Sequence, residues 1–418
     1  MCRQPDRRVG YGVALASREL RAVLAGQVVS IGGTSLAAVA LTVVVFERTA
    51  SPLLASLTFA LGFLPYMLGG LLAGVVDRIR PRRLVTSCDA ASAVLAAAMA
   101  WPGIPVPLLL ALLLTVGSLS SVSGGARAAL VRASVADDAY VPARSLLRIA
   151  GQCAQIGGNA AGGALLLALT PSGTLLLNAM SFAFSAATVR LVADYPNTRE
   201  PSPTPLLRDA LHGARAIFGR RELRRLLLVG WLAPMFMVAP EALAAPYVAA
   251  QHGSASQVGW WLIALPIGVI AGDLAGVRLL TPRQQRRLVA PALAASFVPY
   301  LAFAVGPPVP IALTLLVASG ACGLYALGLD ARVRDETPPG LFSRTMTLNS
   351  AGLMTLQGVG FVVAGATAQA IGPAAAIAVA GCCGLTSAVL LLRHDGARSE
   401  ATAADAREPA TGAARPFC

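Results

Sequence analysis

The sequence contains no lysine; all 33 of its basic residues are arginine. Without lysine there is no Gly-x-x-x-x-Gly-Lys-Ser/Thr loop to hold nucleotide phosphates, so ATP-driven work by this chain alone is excluded. Charge is scarce altogether: 13% of the 418 residues are charged, against about 25% in a soluble globular protein. Half of the usual solvating surface is missing. Histidine is limited to His212, His252 and His394, scattered through predicted loops. The cysteines (Cys2, Cys88, Cys153, Cys322, Cys382, Cys383 and Cys418) form no Cys-x-x-Cys pair and have no histidine beside them. Most lie in apolar runs, where free cysteine acts as a small hydrophobe, so neither a disulfide framework nor a zinc site is predicted. No metal and no cofactor is called for. An intramembrane enzyme would need His, Asp or Glu clustered at one depth, and a sensor would need a soluble output domain. Neither pattern is found, and an enzyme is not predicted.

What fills the chain instead is hydrocarbon. Apolar residues make up 56% of it, mean hydropathy is +0.68, and the apolar runs recur along nearly the whole length. A helix needs about 20 mostly apolar residues to cross about 30 Å of bilayer core. Such windows fall at 22–46, 53–76, 84–101, 107–131, 145–169 and 173–193, then at 226–249, 257–280, 288–305, 309–330, 346–370 and 374–392. This pattern predicts an all-α membrane protein with twelve transmembrane helices. The first run follows Arg3, Arg7, Arg8 and Arg18 but is too long for a signal peptide and lacks a clear cleavage site, so it reads as a retained span.

Arginine placement agrees with an even count. Arginines cluster at the N-terminus, at 78–83, near Arg132 and Arg144, and in the stretches Arg199–Arg225, Arg283–Arg287 and Arg332–Arg344. The intervening loops carry none, and Arg48 is the exception on that side. By the positive-inside rule both termini are cytoplasmic, in a multi-pass protein of the cell membrane. The same placement argues against nucleic acid as a partner, since the arginines lie between apolar runs and not on one face of a soluble domain.

The chain also repeats itself. Arg18-Glu19-Leu20-Arg21 returns as Arg221-Glu222-Leu223-Arg224, and Arg78 with Pro81-Arg82 as Arg278 with Pro282-Arg283. Ala150-Gly151 and Gly157 return as Ala351-Gly352 and Gly358. Three matches in nearly one register predict two pseudo-repeated six-helix bundles, a design found in secondary transporters. The expected organisation is a cytoplasmic N-terminus (1–21), a first bundle (22–193), a cytoplasmic linker (194–225), a second bundle (226–393) and a disordered cytoplasmic tail (394–418). Within the linker, Leu207, Leu211, Ala214 and Phe218 recur at helical spacing with Arg208, Arg215 and Arg221 elsewhere on the turn. That is a basic amphipathic helix suited to an anionic leaflet, or a solvated linker helix.

The stretch from Gly74 through Asp77-Arg78 to Arg82-Arg83 resembles the signature loop between the second and third spans of the major facilitator superfamily. The resemblance covers residues 18–393 and implies that fold, with alternating access by rocking of the two bundles. It also implies that Gly74, Asp77, Arg78, Arg82 and Arg83 form a loop that latches the halves and releases as they move. Gly158-Asn159-Ala160-Ala161-Gly162-Gly163 looks like the Gly-Pro-x-x-Gly-Gly element of the superfamily's exporters, with asparagine where proline stands. Glycine packing alone would also account for Gly158, Asn159, Gly162 and Gly163. Ala40-Leu41, Glu47-Arg48-Thr49 and Ser51-Pro52 resemble a bacterial exporter branch that includes macrolide-efflux and siderophore-export proteins.

Ionisable groups within spans cost about 3 kcal/mol or more and usually face a cavity or a partner. Glu241 lies among Pro234, Pro240 and Pro246, where the helix is weakened. It reads either as a cavity carboxylate that exchanges a proton or meets a cationic substrate, or as one snorkelling to the outer interface. Arg127 either snorkels to the cytoplasm or, by resemblance to exporters with an arginine in the fourth span, orients a substrate or proton acceptor. Asp273, flanked by Gly272 and Gly276, has either a structural partner such as Arg278 or a coupling role. Asp89 and Asp330 read as structural, and Gln27 as the amide nearest a central cavity. Trp260 and Trp261 fit an outer-interface belt or the adaptable surface offered by Met235, Phe236 and Met237. Together these readings predict a monomeric secondary transporter that exports a small hydrophobic metabolite, drug or siderophore by proton antiport. An importer or uniporter of the same fold is the alternative.

Overall fold

The structure, a computed structural model, describes residues 15–68, 79–135, 140–166, 168–194, 217–338 and 341–405, together with Arg215. Helices and turns account for these residues, and no strand occurs among them. The first half comprises α1 (Arg18–Thr49), α2 (Pro52–Phe63, continued by a 3-10 turn Leu64–Leu68), α3 (Pro81–Met99), α4 (Val106–Ser134), α5 (Tyr140–Leu165) and α6 (Pro171–Val189). After the linker, one broken rod is made of α7 (Arg221–Met237), α8 (Ala239–Ala242) and α9 (Ala244–Ala250). Then come α10 (Ala255–Leu279), the short α11 (Pro282–Arg287), α12 (Val289–Leu301) and α13 (Val309–Ala321). Last are α14 (Tyr325–Glu336), α15 (Phe342–Ile371) and α16 (Pro373–Asp405).

Local chemistry sets the helix starts. Ser17, Ser51 and Thr170 accept N-terminal amides of α1, α2 and α6 through their hydroxyls, while Pro52, Pro81 and Pro171 occupy first-turn positions where no amide is needed. Gly372, at φ +85°, turns the chain between α15 and α16 in a conformation that disfavours a side chain.

Seven helices among the described residues are long and apolar enough to cross a bilayer, and three shorter apolar ones (Pro52–Tyr66, Val289–Val305 and Pro373–Val389) accompany them. Large apolar side chains lie on the outside: Val94 is 69% exposed, Met180 67% and Val305 85%. In water such a surface would drive association; facing acyl chains it costs nothing.

In the first half α1 packs on α5 and α6, and α3 packs between α4 and α6. In the second, α10 packs on α13, α12 on α16, and α7 on α15 and α16. Between the halves, α2 packs most extensively on α15 and α5 on α10. Repeat-related glycines take repeat-related places. Gly151 on α5 abuts Gln27 and Ile31 of α1, and Gly352 on α15 abuts Trp231 of α7. Each removes a side chain where its helix meets the first rod of its own half.

Helix α16 runs on past the membrane stretch as far as Asp405, into the region from residue 394 where a disordered tail is expected. Alanine, the best helix former, supplies four of the residues from Ala397 to Ala404. Residues 406–418 lie outside the described residues, as does nearly all of the predicted amphipathic helix. Of the latter, Ile217 is buried and Phe218 meets Trp231 edge-on, with ring centres 6.0 Å apart.

Candidate functional site between the two halves

Three prolines break the rod that opens the second half. Pro234 lies inside α7, and the chain turns at Val238 and again at Leu243 before α9. Neighbouring side chains bind carbonyls just before Glu241. The Trp261 indole N–H donates to the Pro240 carbonyl at 2.7 Å, and the Tyr300 hydroxyl to the Met237 carbonyl at 3.0 Å. Irregular backbone at membrane depth is tolerated only where protein satisfies it. Tyr247, Trp261, Phe303, Tyr300 and Phe297 continue this support as a chain of ring contacts. Trp261 is therefore a buried anchor and not part of an interface belt; Trp260, 60% exposed, is the outward-facing member of the pair.

Glu241 itself lines a cavity of about 60 Å³. Gln155 and Asn159 of α5 face it from the first half. Met237 and Pro240, Leu262, Leu265 and Pro266 of α10, and Leu316 of α13 enclose it from the second. The Glu241 side chain has no hydrogen bond or ion pair among the described residues. The volume accommodates water and is well below the roughly 300–1,000 Å³ that organic ligands occupy. In this state the site can hold a proton and its solvation, not a drug-sized molecule.

Of the glycines that set off Asn159, two seat α5 on α1 and one meets the second half. Gly158 packs on Gly32 and Ser35 of α1, and Gly162 on Leu36 and Val39. Gly163 meets Gly259 and the Ser256 carbonyl of α10. The Gly158–Gly163 element thus sits where α1, α5 and α10 converge, with Asn159 5% exposed beside the cavity. Further contacts between the halves lie towards the same, arginine-poor end. The Ser51 hydroxyl reaches Gln369 at 2.9 Å, Phe59 stacks on Phe361 with centroids 5.3 Å apart, and Gly365 fits against Leu53 and Ser56. At the arginine-rich end, by contrast, a core of Leu20, Val23, Leu84, Leu130, Leu147 and Val189 draws on the first half alone.

The other candidates lie apart from the cavity. Arg127 is held by Asp89 of α3 at 2.5 Å and by Ser185 of α6 at 2.7 Å, and Ser185 and Ser123 also bind Asp89. The Asp89 side chain is 4% exposed and that of Arg127 11%, so this is a buried ion pair tying three helices. Arg127 therefore does not snorkel. Asp89 and Ser185 were not legible as its partners, although one acid in the third span and one arginine in the fourth pose a charge-balance problem that pairing would solve. Asp273 does not pair with Arg278: its Oδ1 is buried without a hydrogen-bond partner among the described residues. Gln27 lies against Gly151, not at the cavity. Of the latch residues, Gly74, Asp77 and Arg78 lie outside the described residues. Arg83, with Arg80, pairs instead with Asp194 beyond α6, at 3.5 and 2.7 Å. The Arg80 hydrogen bond first, and then the charges of Arg80, Arg83 and Arg82, hold the Asp194 carboxyl below the usual carboxylate range.

Set against known proteins, residues 13–414 match a family model described as transmembrane secretion effector. No curated protein sequence matches the chain. Solved structures share its shape at low identity. A nucleoside transporter, NupG, has TM-score 0.66 at 14% identity, covering 89% of this chain and 98% of its own. A POT family transporter in complex with a thioalcohol-conjugated peptide has TM-score 0.72 at 9% identity, covering 91% and 96%. A D-xylose–proton symporter has TM-score 0.65 at 14% identity, covering 90% and 96%. Likeness at this level establishes the fold and leaves substrates to each protein.

Proposed function

The chain belongs to the transmembrane secretion effector family of major facilitator-type transporters, and from that membership we propose a proton-coupled exporter working by alternating access. The family is one of transporters and not of enzymes, and the protein is a multi-pass membrane protein. In this reading twelve helices cross the cell membrane as two six-helix bundles, 22–193 and 226–393, with both termini cytoplasmic and the arginine-rich end inward. The contacts at the arginine-poor end then close the outer side, and a monomer takes its cargo, a small hydrophobic metabolite, drug or siderophore, from within.

One observation carries the coupling: Glu241, without a counter-charge among the described residues, faces a water-sized cavity between the halves. A proton arriving from outside neutralises it, and the neutral side chain no longer opposes desolvation when the halves close around it. Asn159 and Gln155, on the opposite helix, offer amides to either form. Because α5 and α10 meet beside the cavity, its occupancy and the packing of the halves act on the same surface.

The test uses inside-out vesicles carrying the protein, an imposed pH gradient with the interior acidic, and a panel of lipophilic dyes and iron chelators. Gradient-driven accumulation abolished by a protonophore supports export by antiport. Uptake in the opposite orientation, driven by an inward proton gradient, supports an importer of the same fold. The solved D-xylose–proton symporter shows that this fold also occurs in a symporter.

A further inference from the structure

We infer that the arginine-rich ends of α3 and α6 form a binding site for the headgroup of an anionic phospholipid, one carrying a phosphodiester and hydroxyl donors. A cleft of about 500 Å³ opens there, lined by Arg82 and Arg83, Thr86 and Ser87 of α3, and by Arg190 and Asp194. It is separate from the cavity at Glu241 and does not depend on the direction or coupling of transport.

The cleft carries unspent polar capacity. Arg80 and Arg83 already hold Asp194 through its Oδ2, so that carboxylate is neutralised. Arg82 acts on Asp194 through its charge alone, and neither it nor Arg190 donates a side-chain hydrogen bond among the described residues. Thr86 Oγ1 and Asp194 Oδ1 are buried without hydrogen-bond partners among the described residues. Two guanidinium groups with unspent hydrogen-bond donors suit a phosphodiester, the threonine hydroxyl can donate to it, and Asp194 Oδ1 can accept from a headgroup hydroxyl. Basic pockets between helices at the membrane boundary are where such headgroups bind.

The surface leading away from the cleft favours a lipid over a free anion. On α3, Arg83, Ser87, Ala90 and Val94 follow one another along one exposed face at helical spacing. From Arg190, just past α6, back through Ala187, Ala183 and Met180 the same holds, and the two helices pack together. Small residues beneath the arginines, then larger apolar ones, make a shallow track on which acyl chains would lie.

Native mass spectrometry of the detergent-solubilised full chain reads this out. Phosphatidylglycerol should be retained more tightly than phosphatidylcholine. Changing both Arg82→Gln and Arg190→Gln should weaken it by about tenfold or more. Arg82→Lys with Arg190→Lys should keep most of the binding, and Arg283→Gln with Arg287→Gln, exposed arginines elsewhere, should leave it unchanged. Ala90→Trp fills the track without altering charge or core and should also release the lipid, which keeps the test decisive if the glutamine variant fails to fold. Equal losses in both glutamine pairs, retention by Ala90→Trp, or displacement by soluble glycerol phosphate would each overturn the proposal.

Discussion

Gly163 of α5 and Gly259 of α10 leave no room for a side chain between them: a Cβ on Gly163 would stand 2.7 Å from the Gly259 Cα and 2.9 Å from the Ser256 carbonyl oxygen. This contact joins the halves beside the Glu241 cavity. Gly163→Leu should therefore disfavour the closed arginine-poor end. Overpacking costs about 1–3 kcal/mol in a well-packed core, enough to shift a two-state balance roughly 5- to 150-fold. Spin labels placed near Ser51 and Gln369 should report a longer separation in the variant. An unchanged distance distribution would remove the contact from the closing mechanism.

Glu241→Gln keeps the shape of the cavity wall and removes its exchangeable proton. Transport driven by a pH gradient should fall by about tenfold or more, a change of about 1.4 kcal/mol or more in the limiting barrier. Exchange of substrate between the two sides without a gradient should survive, because it does not require the proton to be released. A variant that still responds fully to pH would strip Glu241 of the coupling role and leave a wall residue.

Much of the architecture was readable because lipid imposes a simple rule. Apolar runs must be helices, and most arginines sit at their ends, so hydropathy placed the rods and Arg82 and Arg83 marked one rim. The repeat at Gly151 and Gly352 was also legible, since close packing on the first rod of each half demands glycine in both. The pairing of Arg127 with Asp89 was not. Their helices are adjacent in the chain, but which faces meet depends on rotation, and two serines completing the network are unremarkable in composition. Nor could sequence separate Trp260 from Trp261: consecutive residues on a helix point about 100° apart, and only the broken rod at Pro240 decides which of them turns inward.

The Asp89–Arg127 pair should behave as a scaffold element. Asp89→Leu alone strands a buried guanidinium and should destabilise the protein by about 3–5 kcal/mol. Asp89→Leu combined with Arg127→Met replaces the pair by apolar groups of similar bulk and should recover most of that loss. Thermal unfolding in detergent checks both. If the double variant is stable yet inactive in transport, Arg127 acts on substrate or proton after all; if it transports, the pair only holds α3, α4 and α6 together.

Asp194 predicts a dependence on pH with a definite sign. Its carboxyl is held below the usual carboxylate range, chiefly by the Arg80 hydrogen bond and then by the surrounding arginine charges. A group with a lowered value in the folded protein stabilises it fully above its unfolded pKa, about 3.9 for aspartate. That contribution is lost as pH falls through the folded value. The link between α3 and the end of α6 should thus be indifferent to pH from neutrality down to about 5 and weaken only in stronger acid. High salt should loosen it at any pH, since Arg80 and Arg83 are 51% and 70% exposed. Asp194→Asn should remove this acid-dependent part of the melting curve while leaving the neutral-pH curve close to wild type, because exposed ion pairs contribute little. Melting that declines equally in the asparagine variant between pH 5 and 3 would assign the acid sensitivity to another carboxylate.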